Sequence, residues 1–212
     1  MHPKLRNPGL YAITDGPRDG LLAAVAQALE GGARLVQYRD KSTDPARRHA
    51  EAAALRQLCA GHGVPLIVND DVRLAAAIQA DGVHLGEHDP ALAAARAALG
   101  AQAIIGVSCY DSLERAQELA AAGADYLAFG AFFPSPTKPL ARRAAPELLR
   151  QSAALGLPRV AIGGITPDNA GSLVDAGADY LAVISALFGA ADVRAAAQTF
   201  SALYTTASGT PR

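Results

Sequence analysis

One seven-residue phrase occurs twice without change: Ala-Gly-Ala-Asp-Tyr-Leu-Ala runs from Ala122 to Ala128 and again from Ala176 to Ala182. Weaker copies are Gly-Gly-Ala-Arg-Leu-Val-Gln, from Gly31 to Gln37, and Gln-Ala-Asp-Gly-Val-His-Leu, from Gln79 to Leu85. Each stands where an alanine-rich helical pattern ends and a short apolar run begins. Glycine suits the end of a helix, where a left-handed residue closes the last turn. The apolar run after it suits a buried strand. An α-to-β junction that recurs at least four times confines the chain to folds that alternate helix and strand.

The rest of the sequence keeps the alternation. Candidate strands are Leu10–Thr14, Leu35–Arg39, Pro65–Asn69, Gly82–Leu85, Ile104–Ser108, Tyr126–Phe129, Arg159–Ile162 and Tyr180–Ile184, each bounded by Gly, Pro, Asn or Asp. Helical patterns lie between them. Leu21, Leu22, Val25 and Leu29 form one apolar stripe, and Leu55 and Leu58 anchor a second. Asp111 with Glu114 reads as a capping box, and Thr166 or Asp168 starts a helix with Pro167 in its first turn. Eight such units predict a parallel sheet with right-handed crossovers, closed as a single-domain (β/α)8 TIM barrel over residues 1–212 with a loose tail from about 205. The runner-up is an open doubly wound sheet. Even repeats, and the absence of Gly-x-Gly-x-x-Gly in the first unit, favour the barrel.

Composition removes several classes. Half the residues are hydrophobic, but 49 of the 212 are alanine. Nineteen basic and twenty acidic residues nearly cancel, so no cationic field points to nucleic acid or a membrane surface. No apolar run reaches the roughly 18 residues of a membrane span, and the N-terminus lacks a signal-peptide core. Cys59 and Cys109 are too few for a disulfide framework or a four-ligand zinc site. The expectation is a compact cytoplasmic domain that binds small molecules. A homodimer is allowed by the sequence and dictated by no pattern in it.

A barrel carries its chemistry at the C-terminal strand ends, and the polar residues fall there. Gln37, Arg39 and Lys41 alternate onto one side at strand period two, a set suited to a phosphate or diphosphate; solvated surface charges are the alternative. Asp70 and Asp89 follow strands three and four and suit Mg²⁺ beside bound phosphates. Helix capping is the competing role, and Asp71 could supply the first cap. His84 and His88 are further ligand candidates, with His84 read rather as a packed strand residue. Gly163-Gly164-Ile165-Thr166, next to Ile184-Ser185, matches a barrel phosphate cup built from backbone N–H groups. The long loop after strand six holds Ser135, Pro136, Thr137 and Lys138, a stiffened anion contact or lid. Two anion sites at one mouth, with no Ser-His-Asp set, suggest two phosphorylated substrates.

Seven motifs in order then resemble the thiamine-phosphate synthase family: Leu10-Tyr11-Ala12-Ile13-Thr14-Asp15, Gln37-Tyr38-Arg39-Asp40-Lys41, Val68-Asn69-Asp70, Gly82-Val83-His84-Leu85-Gly86, Gly106-Val107-Ser108, Pro134-x-x-Thr137-Lys138 and Ala161-Ile162-Gly163-Gly164-Ile165. The match runs from about Leu10 to Phe188. It implies a transferase of thiamine biosynthesis with Mg²⁺ as cofactor. The reaction would join hydroxymethylpyrimidine diphosphate to thiazole phosphate, releasing diphosphate. The resemblance implies pyrimidine-diphosphate contacts from Gln37, Arg39, Lys41, Asn69, Ser108 and Lys138, with Tyr38 and Asp40 in the same segment. Among these Arg39, Lys41, Lys138 and Ser108 would be catalytic. It implies Mg²⁺ ligands Asp70 and Asp89, and thiazole-phosphate contacts from Ser135, Pro136, Thr137, Gly164, Ile184 and Ser185. The chain departs from the family pattern at Ser135 (commonly Thr), Asp40 (usually Glu), Glu87-His88 (more often Gln then an acid) and Arg142-Arg143.

Three other functions compete. A thiazole tautomerase of the same pathway would need proton transfer and would lack the Lys138, Asp70/Asp89 and Gln37–Lys41 features. A phosphate-ligand sensor would not keep a metal pair facing two anion sites. A sugar-phosphate isomerase or epimerase rests on fold analogy alone.

Overall fold

The computed structural model describes residues 2–87, 91–134 and 142–206. Eight parallel strands close into a barrel in chain order: β1 Gly9–Ile13, β2 Leu35–Tyr38, β3 Leu66–Asn69, β4 Gly82–Leu85, β5 Ile104–Tyr110, β6 Tyr126–Phe129, β7 Arg159–Ile162 and β8 Tyr180–Val183. The ring closes where Leu10 and Tyr11 of β1 lie against Leu181 and Ala182 of β8. Around it run α1 Leu21–Glu30, α2 Pro45–Gly61, α3 Val72–Ala77, α4 Leu92–Leu99, α5 Leu113–Ala121, α6 Pro146–Gln151 and α7 Pro167–Asp175, then α8 Ser185–Phe188 and α9 Val193–Thr206. No described helix is long and apolar enough to cross a membrane.

The duplicated phrase has a mechanical role. Gly123 and Gly177 take φ of +94° and +99° after α5 and α7, a region closed to most side chains. The aspartate two residues later sits just before an even-numbered strand and reaches sideways to the preceding odd one. Asp125 Oδ2 accepts the Ile105 N–H at 2.8 Å, and Asp179 Oδ2 accepts the Arg159 N–H at 2.8 Å. In the weaker copy Asp81 Oδ2 accepts the Leu66 N–H at 2.9 Å. Each carboxylate is also paired with arginine: Arg96, Arg159 and Arg56 respectively. The repeat therefore clamps three strand pairs at the floor of the barrel.

Side chains alternate between two cores. Tyr11, Ile13, Leu35, Ile67, Ile104, Tyr126, Val160 and Tyr180 fill the barrel, and Leu5 of the one-turn helix Pro3–Leu5 packs with them. The larger core lies between sheet and helices. Its helix faces are mostly Leu and Ala, such as Leu21, Ala24, Val25, Ala28 and Leu29 of α1. The abundant alanine lets helices approach the sheet closely. Gly106 shows the same economy inside the barrel: a Cβ there would stand 1.8 Å from the Tyr126 ring.

Several local expectations change. Leu22 leaves the α1 stripe and is exposed, because the turn places it a full 100° from Leu21. Ser112, not Asp111, caps α5 by accepting the Arg115 N–H, so no box forms with Glu114. Thr166 is the start of α7, and Asn169 Oδ1 accepts its N–H at 2.9 Å. Ile184 is not strand: its φ, ψ of −114°, −86° turn the chain into α8, an extra turn of helix before α9. Residues beyond 206, most of the tail expected to be loose, lie outside the described residues.

The clamp carries a prediction. Asp125→Ala leaves the Ile105 N–H without its acceptor and takes from Arg96 its carboxylate partner, and urea unfolding is expected to show a loss of about 2 kcal/mol.

Candidate active site

The strand ends bring one set of predicted residues together and separate another. Gln37 points into the barrel and is 2% exposed. Its Nε2 donates to Tyr11 Oη at 2.7 Å. Tyr11 Oη and Tyr126 Oη are 2.8 Å apart, and Tyr126 Oη lies 2.9 Å from His84 Nδ1. His84 Nε2 in turn meets Ser108 Oγ at 2.9 Å. Five side chains from β1, β2, β4, β5 and β6 thus form one polar line, from inside the barrel to its mouth. Burial raises Tyr11 and Tyr126 well above the ordinary phenol range, so both remain neutral hydroxyls.

Beyond the end of β2, Arg39 is tied by its backbone. Its N–H donates to Thr14 Oγ1 at 2.8 Å, and the Thr14 hydroxyl donates back to the Arg39 carbonyl at 3.0 Å. Lys41 is exposed, with Nζ 3.8 Å from Asp70 Oδ2. Asp71 caps α3 by accepting the Leu74 N–H, so capping does not account for Asp70. Asp70 itself has φ of +62°, a left-handed conformation that aspartate tolerates better than most residues. It places a carboxylate between the ends of β3 and β4, its N–H donating to the His84 carbonyl at 2.9 Å. Asn69 ends β3 in register with His84.

Tyr38 and Asp40 face the other way. The Tyr38 hydroxyl donates to Glu51 Oε2 of α2 at 2.8 Å, and burial, with Glu51 beside it, raises it above the usual phenol range. Asp40 Oδ2 accepts from Arg47 at 2.7 Å and Oδ1 accepts the Ser42 N–H at 2.7 Å. Burial alone would raise the Asp40 carboxyl; Ser42, Arg47 and Arg48 more than offset it and hold it below the usual range. The two side chains brace the Gln37–Lys41 segment from behind and do not join Gln37 at the mouth.

On the opposite side, Gly163 and Gly164 have φ of +105° and +65°. A Cβ at Gly164 would stand 2.4 Å from the Pro134 carbonyl oxygen. Asn169 Nδ2 donates to the Gly164 carbonyl at 3.1 Å, while the Gly164 N–H has no hydrogen-bond acceptor among the described residues. Next to it α8 starts at Ser185, and the first N–H groups of any helix lack an intrahelical partner. Arg18 holds the other end of α8: it donates to the Phe188 carbonyl at 2.8 Å and lies over the Phe188 ring. The Gly164 turn and the start of α8 thus place backbone N–H groups past the ends of the neighbouring strands β7 and β8.

Two departures from the family pattern pair with each other. Arg142 donates to Glu87 Oε2 at 2.6 Å, and its guanidinium lies 4.6 Å from the centre of the Tyr110 ring. The Glu87 N–H donates to the Tyr110 hydroxyl at 3.3 Å. One cluster thereby joins the end of β5 to the segments after β4 and β6. Cys109, beside Ser108, is buried toward the helices, and burial pushes its thiol up to about 12. His88, Asp89, Ser135, Pro136, Thr137 and Lys138 lie outside the described residues. Among the described residues no three His, Cys, Asp or Glu side chains form a metal-holding group.

The family model for thiamine monophosphate synthase matches residues 10–187. The chain belongs to the thiamine monophosphate synthase family. A thiamine-phosphate synthase of Xanthomonas campestris pv. campestris (strain 8004) is 58% identical over 205 residues, 96% of this chain and 99% of that one. One from Azoarcus sp. (strain BH72) is 59% identical over 199 residues, covering 92% and 97%. Among solved structures, a thiamine phosphate pyrophosphorylase from Pyrococcus furiosus is 39% identical and superposes with a TM-score of 0.87, covering 97% of this chain and 98% of that one. The family pattern gave the Gln37 and Ser108 positions but not the line between them. His84 is the packed strand residue the sequence suggested, while the parts of Tyr11 and Tyr126 in the line are what sequence reasoning missed, although Gly106 facing Tyr126 was a readable sign that a ring crosses the barrel.

The buried Asp40 pair predicts an acid response. Because its folded carboxyl titrates below the unfolded one, its stabilisation is present above pH ~4 and lost as pH falls through the folded value. Asp40→Asn should lower stability at pH 7 by about 2 kcal/mol and flatten the acid decline seen in denaturant titrations.

Proposed function

We propose that this chain carries out its family's transfer reaction, condensing 4-amino-5-hydroxymethyl-2-methylpyrimidine diphosphate with 4-methyl-5-(2-hydroxyethyl)thiazole phosphate to give thiamine phosphate and diphosphate. The observation that supports the reading is that Lys41, beside Asp70, lies past the ends of β2 and β3 while the Gly164 turn and Ser185 lie past the ends of β7 and β8, with Arg39 joining the first set by resemblance.

In this reading the C–O bond between the pyrimidine methylene and the diphosphate breaks, and the oxygen keeps the electron pair. The amino-pyrimidine stabilises the methylene cation. The thiazole nitrogen lone pair then forms the new C–N bond, and the positive charge ends on the thiazolium. Arg39 and Lys41, with Lys138 by resemblance, hold the growing charge on the departing group. Ser108, Gln37 and Asn69 orient the pyrimidine. The backbone N–H groups at Gly164 and Ser185 anchor the second substrate by its phosphate, with Ser135, Thr137 and Ile184 assigned to the same site. Positioning both substrates supplies much of the rate.

The donor chemistry fits Mg²⁺. Asp70 offers a hard, partly exposed carboxylate at the mouth, and Mg²⁺ commonly takes one or two carboxylates with substrate phosphates and waters as its other ligands. Asp70 and Asp89 would hold it, and when bound it would neutralise charge on the leaving diphosphate. Both cysteines are free, which supports a reducing, cytoplasmic setting.

The direct test mixes the purified protein with both substrates and Mg²⁺. Diphosphate release is expected to require the thiazole phosphate and to stop with EDTA. Lys41→Ala and Asp70→Ala should each cut kcat at least tenfold with unfolding midpoints close to the parent's. Absence of thiamine phosphate from a folded sample overturns the reading, and unfolding of either variant would make its role structural.

A further inference from the structure

The polar line through the barrel has a direction. Gln37 Nε2 carries only hydrogens to give, so at Tyr11 the phenol oxygen is the acceptor. The Tyr11 hydrogen must then go elsewhere. Tyr11 is 1% exposed, and the only other hydrogen-bond partner of its hydroxyl among the described residues is Tyr126 Oη. Leaving a buried hydroxyl hydrogen unmatched would cost about 1–3 kcal/mol, so Tyr126 accepts it. The Tyr126 hydrogen, fully buried, is left for His84 Nδ1 at 2.9 Å. A neutral imidazole that accepts at Nδ1 carries its proton on Nε2. That N–H donates to Ser108 Oγ at 2.9 Å. Ser108 accepts at its oxygen and turns its own hydrogen toward the mouth.

We propose that Tyr11, Tyr126 and His84 are positioning residues: a one-way hydrogen-bond chain starting at Gln37 fixes His84 as the Nε2–H tautomer and presents the Ser108 hydroxyl to the substrate as a donor. The consequence rests on the reaction proposed above. A donor at Ser108 matches a lone-pair acceptor on the pyrimidine diphosphate and repels a group with only hydrogens to offer. It also comes preoriented, since each link is held inside packed barrel walls. The rings help: Tyr126 stands edge-on to Tyr11 and parallel to His84, so neither phenol can rotate its oxygen away without disturbing a neighbour. Gly106 gives Tyr126 the room to lie there.

The test uses the full chain without ligands, so that it stands apart from the assay of the reaction. Long-range ¹⁵N–¹H spectra read the tautomer of His84, assigned by the signal lost in His84→Gln. The native protein is expected to show a protonated Nε2 and a bare Nδ1. Tyr11→Phe touches neither His84 nor Ser108, yet it removes the hydrogen that sets Tyr126; the two His84 nitrogen signals should move toward each other. Tyr126→Phe, which keeps the ring, should do the same more strongly. In the assay, Tyr11→Phe should lower kcat by about fivefold to tenfold with KM little changed, and should have no further effect in a Ser108→Ala background. A native His84 protonated on Nδ1 overturns the proposal. So does a Tyr11→Phe variant with native folding, unchanged His84 signals and unchanged kcat. If the tautomer behaves as expected and no thiamine phosphate forms, the chain's polarity stands and the reaction reading fails.

Discussion

Everything in this molecule depends on the closure of β1 onto β8. Once Leu10 and Tyr11 pair with Leu181 and Ala182, the sheet has no edge, and each strand must send alternate side chains into a narrow interior. Apolar residues fill most of that space. Where polar ones enter, five satisfy one another along the Gln37–Tyr11–Tyr126–His84–Ser108 line, while the buried Tyr180 hydroxyl meets no partner among the described residues. Because all eight strands also run parallel, the chain leaves every strand at the same end, which is why residues distant in sequence meet at one mouth.

With 212 residues over eight units, each βα unit has about 26 residues. Economy of that order appears at each level. Alanine thins the helix-to-sheet contact, the Asp-Arg clamps tie strand pairs without extra elements, and α6 and α8 are cut to six and four residues. The mouth is economical too. A single segment, Gln37 to Lys41, gives one residue to the interior and two to the rim while Tyr38 and Asp40 fasten it to α2.

Much of this was legible in the sequence. The duplicated phrase located two of the strands within a residue and announced the barrel. The glycine pair after β7 marked a tight turn, because both residues have φ values that favour glycine. The period-two argument that grouped Gln37, Arg39 and Lys41 already implied that Tyr38 and Asp40 point the other way; carrying the family segment over as a block hid this. The interior line was not legible, because alternation says which residues point inward and says nothing of which hydroxyls come within 3 Å. The cap of α5 was missed for a related reason: Asp111 and Ser112 are both good caps, and the backbone geometry at the end of β5 decided between them. Glu87 and Arg142 read as unrelated departures, since the contact that joins them spans 55 residues.

The central claim is that one mouth holds two anions on opposite sides. A crystal structure with thiamine phosphate and diphosphate bound tests it most directly. The account predicts the thiamine phosphate group on the Gly164 and Ser185 N–H groups and the free diphosphate beside Arg39, Lys41 and Asp70. Both anions on the same side, or either one outside the barrel mouth, would contradict it.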